Sequence, residues 1–178
     1  MIYLDNAATT WPKPETVYSA VETAMREWGG NPGRSGHKMS LRAGKVIDET
    51  RLLLARLFHA PEPERIIVTL NTTEAINLGL KGLLKPGDHL ITGSMEHNSV
   101  ARPAEALKEK QIEVTKVPVS PVTGIRPEDI EKAIRKNTKM VALTHASNVT
   151  GTINPIAEIG EICRTHGVIF LVDAAQTA

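Results

Sequence analysis

The feature that most constrains the fold of this chain is an alternation of short apolar segments with longer stretches of helical pattern. Two of the short segments, Ile-Ile-Val at 66–68 and Val-Ile-Phe-Leu-Val at 168–172, are apolar at every position. A strand that is apolar without alternation is buried on both faces, as in parallel sheets covered by helices. The alternation therefore predicts an α/β fold with a mainly parallel sheet and flanking helices.

The predicted elements follow from apolar spacing and from helix start and stop residues. Strands are predicted at 65–70, 89–92, 113–117, 139–144 and 168–172. Helices are predicted at 14–28, 40–58, 72–84, 103–110, 127–136 and 155–166. The last three helices each begin with a proline, which suits a first helical turn because no amide donor is needed there.

Composition and charge exclude several functional classes. The chain has 178 residues, of which 41% are hydrophobic and 23% charged, as in a globular protein with one ordinary core. The formal net charge is only +1, with acidic and basic residues interleaved, which argues against nucleic acid as a main partner. No apolar run is long enough to cross a bilayer and no signal sequence is recognisable, so no membrane partner is expected. The single cysteine fits a reducing compartment, and a cytoplasmic protein is expected.

Polar residues cluster just after four of the five predicted strands, where ligands bind in open α/β sheets. The four clusters lie at 71–74, 94–98, 145–151 and 173–176. The first has the form of a helix start, with Asn71 placed to cap and Glu74 three residues later. The amides of such a start bind phosphate, and the hydroxyls of Thr72 and Thr73 would add donors. A cap without a ligand is the alternative.

Single residues in the other clusters also suggest chemistry. Asp173 ends an apolar strand, and a buried carboxylate needs a partner. That partner is either the protonated ring nitrogen of a cofactor such as pyridoxal phosphate, or a helix cap or ion pair. His97 suits proton transfer, stacking or metal binding as well as a surface position, and Asn148 suits a turn. Cys163 shares a helix face with apolar residues and is expected to be a buried structural thiol.

At these positions the sequence resembles the class V aminotransferase family of fold-type I pyridoxal-phosphate enzymes, most closely its cysteine desulfurase branch. The resemblance runs along the chain in five ordered segments, at 3–10, 71–77, 96–98, 147–151 and 172–176. It implies the large domain of an aspartate-aminotransferase-like, PLP-dependent transferase. Residues 1–178 would form an N-terminal segment and part of that cofactor-binding domain, with the rest of the large domain and the small domain absent.

The resemblance also implies roles for individual residues. Thr72 and Thr73 would hold the cofactor phosphate, and His97 would stack on the ring and assist proton transfer. Asp173 would keep the ring nitrogen protonated. Gln176 would hydrogen-bond the phenolic oxygen of the ring, and Asn148 would lie near that oxygen and the substrate carboxylate. The residues implied on the substrate side are Asn6, Ala7, Ala8, Arg34, His37 and again Asn148.

The implied reaction converts L-cysteine to L-alanine and passes the sulfur to a cysteine of the enzyme as a persulfide. A homodimer and a sulfur-acceptor protein are implied as partners. The lysine that holds the cofactor, and the persulfide-forming cysteine, are expected beyond residue 178. The 178-residue chain alone is therefore expected to be inactive.

Several alternatives stay open at this point. Another class V enzyme, such as a selenocysteine lyase, an aminotransferase or an epimerase, would share the cofactor site. A metal-dependent hydrolase would use His97, His145 and Asp173 as ligands, although their spacing matches no recognisable metal motif. An inactive chain that retains the fold is the third alternative.

Overall fold

The computed structural model describes residues 2–33 and 36–178, and the chain divides into two compact units, 1–68 and 69–178. The first unit contains helices α1 (Glu15–Glu27) and α2 (Lys38–Leu57) and a 3-10 turn at Pro63–Arg65. His37 caps α2, because its Nδ1 accepts the Ser40 N–H at 3.2 Å. Both helices lie within two residues of their predicted bounds.

The second unit is an alternation of strands and helices. In chain order its elements are α3 (Thr72–Leu83), β1 (His89–Gly93), α4 (Asn98–Lys108), β2 (Glu113–Val117), α5 (Pro127–Ala133), β3 (Thr138–Thr144), α6 (Ile156–Thr165) and β4 (Ile169–Asp173). The four strands form one sheet in the order β2-β1-β3-β4, and every neighbouring pair is parallel. The predicted α/β fold with a parallel sheet is confirmed.

The core of this unit consists of two apolar clusters, one on each face of the sheet. Side chains of β1 and β3 alternate between them, so that Leu90 and Met140 face one cluster while Ile91 and Val141 face the other. Helices α3 and α4 cover the first cluster, and α5 and α6 cover the second. The central strands β1 and β3 are buried almost throughout, whereas the edge strands β2 and β4 are only partly buried. The predicted burial of the run at 168–172 on both faces holds only in part, because β4 is paired with another strand on one side only.

The strand order places a topological switch point between β1 and β3. The chain leaves β1 for its neighbour β2 on one side, then returns to β3 on the other side and continues to β4. Connections that depart in opposite directions leave a crevice at the carboxyl ends of the two central strands. This crevice is where a ligand site is expected in such a sheet.

Two sequence predictions are wrong. Residues 66–70 follow the 3-10 turn and form no strand in the described part of the chain, and Ile67, Val68 and Leu70 are 63%, 64% and 90% exposed. An apolar run becomes a strand only when another strand pairs with it, which local sequence does not reveal. The helix predicted from Pro103 begins five residues earlier, at Asn98, so Pro103 lies inside α4. Among the described residues, no helix is both long and apolar enough to cross a membrane.

Candidate active site

A cleft of about 220 Å³ opens at the carboxyl ends of the strands in the unit 69–178. Four chain segments contribute to it: three lie at the carboxyl ends of β1, β3 and β4, and the fourth is the start of α3. The lining residues are Asn71, Thr72, Thr73, His97, Ser99, Thr144, Ala146, Asn148, Asp173, Ala175 and Gln176. All six residues predicted to bind a cofactor are therefore neighbours of one cleft.

One wall of the cleft is the N-terminus of α3. Asn71 has extended backbone dihedrals and its Oδ1 accepts the Glu74 N–H at 2.9 Å, as the sequence predicts. The Glu74 carboxylate reaches back to the Leu70 N–H at 2.7 Å. The cap uses the Glu74 amide and leaves the amides of Thr72 and Thr73, the first two of the helix, without partners inside the helix. Together with two hydroxyls, they form a neutral donor group suited to an anion.

Asp173 is the last residue of β4 and is only 5% exposed. Its Oδ1 accepts the Ala175 N–H at 3.1 Å, so the carboxylate shapes the turn that carries Ala175 and Gln176 into the cleft. A carboxylate has acceptor capacity for several donors. Asp173 therefore caps a turn and also places a buried carboxylate at the cleft. The capping role that the sequence suggests does not exclude a role in binding a cofactor.

His97 is the N-cap residue of α4. Its Nδ1 lies 3.2 Å from the Ser99 amide nitrogen and 2.9 Å from the Ser99 Oγ. Because Nδ1 accepts the backbone N–H, the neutral ring carries its proton on Nε2. The hydrogen bond thus selects one tautomer of His97 and leaves Nε2 as the nitrogen open to a ligand.

Asn148 lies in a turn between β3 and α6, as a turn-forming asparagine would. The Ser147 Oγ accepts the N–H groups of Val149 and Thr150 at 3.2 Å each, which fixes the turn around Asn148. The turn is anchored by Asn154, whose Nδ2 donates to the Thr144 carbonyl at 2.8 Å. The exposed Asn148 side chain reaches the cleft from this anchored loop.

Glu96 joins two strand ends beneath the cleft. Its Oε2 accepts the Thr144 N–H at 2.8 Å, which links the end of β1 to the end of β3. Burial raises the pKa of the Glu96 carboxyl to about 7, backbone hydrogen bonds from Thr144 and Gly93 act in the opposite direction, and the charge of Asp173 adds to the increase. A carboxyl with such a pKa exchanges its proton near neutral pH.

A second groove of about 430 Å³ adjoins the cleft between α3 and α4. It shares Thr73, His97 and Ser99 with the cleft, and Lys81 and Arg102 line it as well. No lysine or arginine lines the cleft itself within the described residues. A bound anion in the cleft would therefore be held by helix amides and hydroxyls, with basic side chains in the adjoining groove.

The residues implied on the substrate side belong mostly to the unit 1–68. Asn6 accepts the Trp11 N–H at 3.1 Å through its Oδ1, Ala7 and Ala8 lie in an exposed turn, and His37 caps α2. Arg34 lies outside the described residues. The role of these five residues stays a prediction.

The structure also bears on the metal ligands named for a hydrolase and on the thiol of Cys163. His97, His145 and Asp173 do not form a metal-binding group, since within residues 2–33 and 36–178 no three His, Cys, Asp or Glu side chains are close enough to hold a metal ion. These three residues therefore do not supply the ligand set that the hydrolase alternative named. Cys163 is 1% exposed on the inner face of α6, and burial raises its pKa to about 11, so it is a buried structural thiol as predicted.

Sequence reasoning assigns no individual role to three residues at the site, although Glu96 lies in the polar cluster 94–98. Ser99 and Thr144 line the cleft, and Glu96 lies behind it. Ser99 follows His97 by two residues, and at this spacing a side chain such as that of His97 can accept a hydrogen bond from the backbone N–H of Ser99. The partner of Glu96 is 48 residues away in the chain, so no local pattern identifies it.

Comparison with known proteins gives a consistent result. A family model described as aminotransferase class V matches residues 2–178. A probable cysteine desulfurase of Halalkalibacterium halodurans is 39% identical and covers 100% of this chain, which spans 45% of that protein. The cysteine desulfurase IscS of Dictyoglomus turgidum is 37% identical, with 99% of this chain and 45% of that protein aligned. The chain thus spans about half the length of the curated relatives it matches.

Solved structures share the fold. The apo structure of a cysteine desulfurase from Thermococcus onnurineus superposes with a TM-score of 0.89 at 33% identity, over 99% of this chain and 44% of that one. A structure described as SspA in complex with cysteine superposes with a TM-score of 0.88 at 31% identity, over 99% of this chain and 51% of that one. Because the family model covers nearly every residue, this chain belongs to the class V aminotransferase family.

Proposed function

We propose that this chain forms the cofactor-binding part of a pyridoxal-phosphate-dependent cysteine desulfurase, which converts L-cysteine to L-alanine and passes the sulfur to a protein cysteine. The observation that carries the proposal is the gathering of the α3 N-terminus, His97 and the buried Asp173 around one cleft. The two relatives named as cysteine desulfurases, each aligned with at least 99% of the chain, support the same activity.

The donors and acceptors of the cleft suit pyridoxal phosphate. The hydroxyls of Thr72 and Thr73, with the amides of the first helical turn, match a phosphate group. The Asp173 carboxylate is 5% exposed, and a buried negative charge is stabilised by a cationic N–H donor such as a protonated pyridine nitrogen. The cleft therefore pairs an anion-binding wall with a cation-binding carboxylate, as this cofactor requires.

When bound, the cofactor supplies an electron sink that weakens bonds at the substrate α-carbon. Asp173 would hold a proton on the ring nitrogen through its ionised carboxylate. His97 would stack on the ring and present Nε2–H as a donor, because the Ser99 amide occupies its Nδ1. To accept a proton from the substrate at Nε2, the ring would have to release Ser99 and carry its proton on Nδ1. Gln176 would donate to the phenolic oxygen of the ring, and Asn148 would lie near that oxygen and the substrate carboxylate.

The substrate and partners follow from the same proposal. L-cysteine as substrate is supported by the solved SspA complex with cysteine, which shares this fold. A homodimer and a sulfur-acceptor protein complete the proposed reaction. The thiol of Cys163 is free, which fits a reducing compartment and supports a cytoplasmic location.

Cofactor binding is tested with pyridoxamine 5'-phosphate, which has an amine in place of the aldehyde and so does not condense with exposed lysines. Titration is followed by absorbance with the wild-type chain, Asp173→Asn and the matched control Asp48→Asn, which changes an exposed residue of α2. Asp173→Asn should weaken binding by about tenfold to a hundredfold, the value of a charge-assisted hydrogen bond, and Asp48→Asn should have no effect. Equal affinity for wild type and Asp173→Asn would contradict the proposal.

Turnover is tested in the protein that carries this chain, with L-cysteine, pyridoxal phosphate and a thiol reductant. Alanine and sulfide should appear in equal amounts. Release of selenide from selenocysteine without sulfide from cysteine would instead favour a selenocysteine lyase. A keto-acid product would favour an aminotransferase, and a D-amino acid an epimerase.

A further inference from the structure

We propose that Glu96 is a positioning residue of the cleft: its carboxylate fixes the end of β1 to the end of β3 and thereby sets the orientation of His97. The role of the oriented His97 toward the cofactor rests on the proposed function, whereas the orientation itself is a property of the ligand-free chain. Glu96 belongs to the segment 96–98 of the family resemblance, but the resemblance assigns it no role, and Glu96 does not itself line the cleft.

The position of Glu96 in the sheet gives the first argument. β1 and β3 are the strands on either side of the switch point, and their last paired residues are Thr92 and Ala142. Beyond that pair, the Glu96 Oε2 accepts the Thr144 N–H at 2.8 Å. The Glu96 side chain thus joins the two strands beyond the last main-chain pair, where the strands diverge to form the crevice.

The surroundings of Glu96 give the second argument. Gly93 leaves room for the carboxylate, because a Cβ at this position would lie 2.6 Å from the Glu96 Oε1. The main chain from Gly93 to Glu96 therefore folds back over a residue without a side chain, and the carboxylate fills that space. Burial raises the pKa of Glu96 to about 7, so the ionised carboxylate is costly at this position and depends on its hydrogen bonds.

The connection to His97 gives the third argument. His97 follows Glu96 directly, caps α4 and accepts the Ser99 N–H on its Nδ1. This cap requires the His97 backbone to stay extended, with φ −62° and ψ 156°. The hydrogen bond from the Thr144 N–H to the side chain of Glu96 restrains the same stretch of backbone from the residue before His97. Without the hydrogen bond between Glu96 and Thr144, the His97 Nδ1 should no longer accept the Ser99 N–H throughout, and the ring should no longer be held in the tautomer with its proton on Nε2.

The test compares four variants of the full 178-residue chain. Glu96→Ala removes the anchor, Glu96→Asp shortens it by one methylene, and Glu96→Gln keeps an oxygen acceptor for the Thr144 N–H. Glu128→Ala, in the exposed first turn of α5, is the control. Two readouts are used: the tautomer of the His97 ring by ¹⁵N NMR in the ligand-free chain, and the affinity and induced circular dichroism of bound pyridoxamine 5'-phosphate.

Glu96→Ala and Glu96→Asp should shift His97 to a mixture of tautomers, weaken cofactor binding by about tenfold and reduce the induced circular dichroism. Glu96→Gln should keep the wild-type tautomer and bind within about twofold of wild type, since the acceptor is retained. If Glu96→Ala does not fold, the folded Glu96→Asp and Glu96→Gln chains decide the question. A wild-type tautomer in Glu96→Asp, or a Glu96→Gln chain as impaired as Glu96→Asp, would overturn the proposal.

The two proposals fail separately. If the wild-type chain does not bind pyridoxamine 5'-phosphate, the proposed function fails, while the His97 tautomer still decides the role of Glu96. If the wild-type chain binds the ligand and the Glu96 variants leave both readouts unchanged, the positioning role fails and the proposed function stands.

Discussion

Replacing Asn154 with alanine should strongly destabilise the unit 69–178. The Asn154 side chain is 4% exposed and joins two segments, since its Oδ1 accepts the Ile125 N–H at 3.0 Å and its Nδ2 donates to the Thr144 carbonyl at 2.8 Å. Alanine removes both bonds and leaves a buried donor and a buried acceptor without this partner. At about 1–2 kcal/mol for each affected group, the free energy of unfolding should fall by about 2–4 kcal/mol.

Asn137→Ala is the matched control for this prediction. The Asn137 Nδ2 also donates to a backbone carbonyl, that of Gly87 at 3.1 Å, but the bond is exposed. Water replaces a lost partner at an exposed site, so this change should cost less than about 1 kcal/mol. The difference between the two asparagines isolates the effect of burial, because the residue type and the kind of bond are the same.

Urea unfolding followed by far-ultraviolet circular dichroism, together with native-state hydrogen exchange of the β3 amides, measures this difference. Tryptophan fluorescence does not report on the relevant unit, because Trp11 and Trp28 both lie in residues 1–68. Equal losses for Asn154→Ala and Asn137→Ala, or a loss below about 1 kcal/mol for Asn154→Ala, would refute the reasoning that buried hydrogen-bond partners hold this loop.

Three further predictions concern stability. Because the pKa of Glu96 is raised in the folded chain, its carboxyl ionises at lower pH in the unfolded chain than in the folded one. The free energy of unfolding of the wild type should therefore fall by about 3 kcal/mol as pH rises from 4.5 to about 7, whereas that of Glu96→Gln should not. Urea titrations measure both, and parallel pH profiles for the two chains would contradict this prediction. Burial lowers the pKa of His89, the charge of Arg135 lowers it further, and the charge of Glu113 acts in the opposite direction. The free energy of unfolding should therefore fall as pH drops below 6.5. A midpoint at or above 6.5 in an NMR titration of the His89 ring would show this reasoning to be wrong. Gly93→Ala should lower the melting temperature, because the new Cβ would lie 2.6 Å from the Glu96 Oε1. Gly82→Ala should raise it slightly, because Gly82 lies in α3 with open space around it and alanine favours the helix. The same change of melting temperature in both variants would contradict this prediction.

Local sequence predicted those parts of the fold that local physics decides. The runs that form β1 to β4 are short and rich in apolar residues, except that β2 also carries Glu113 and Lys116, and the sequence predicts the position of all four strands and their parallel pairing. The run at 66–70 is equally apolar, but a strand needs a partner, and pairing is not a local property. The sequence predicts a helix start at Pro103, whereas the cap formed by His97 begins α4 about a turn and a half earlier.

The candidate site divides in the same way. Asp173 and Gln176 are recognisable because they lie at the end of a strand, where parallel strands bring polar residues together, and Thr72 and Thr73 because they begin a capped helix. The role of Glu96 could not be found, because its hydrogen bond to the Thr144 amide spans 48 residues and depends on how two strand ends diverge. Residues that bind are recognisable by type and position, whereas residues that position others become visible only in three dimensions.

The central claim is that the cleft binds pyridoxal phosphate, and ¹⁵N chemical-shift mapping with pyridoxamine 5'-phosphate tests it most directly. Saturable shifts are predicted for the amides of Thr72, Thr73, His97 and residues 173–176, with the phosphate-side shifts reproduced by inorganic phosphate at higher concentration. The shifts at 173–176 should disappear in Asp173→Asn. Saturable shifts confined to the groove around Lys81 and Arg102, or no saturable shifts at all, would contradict the account.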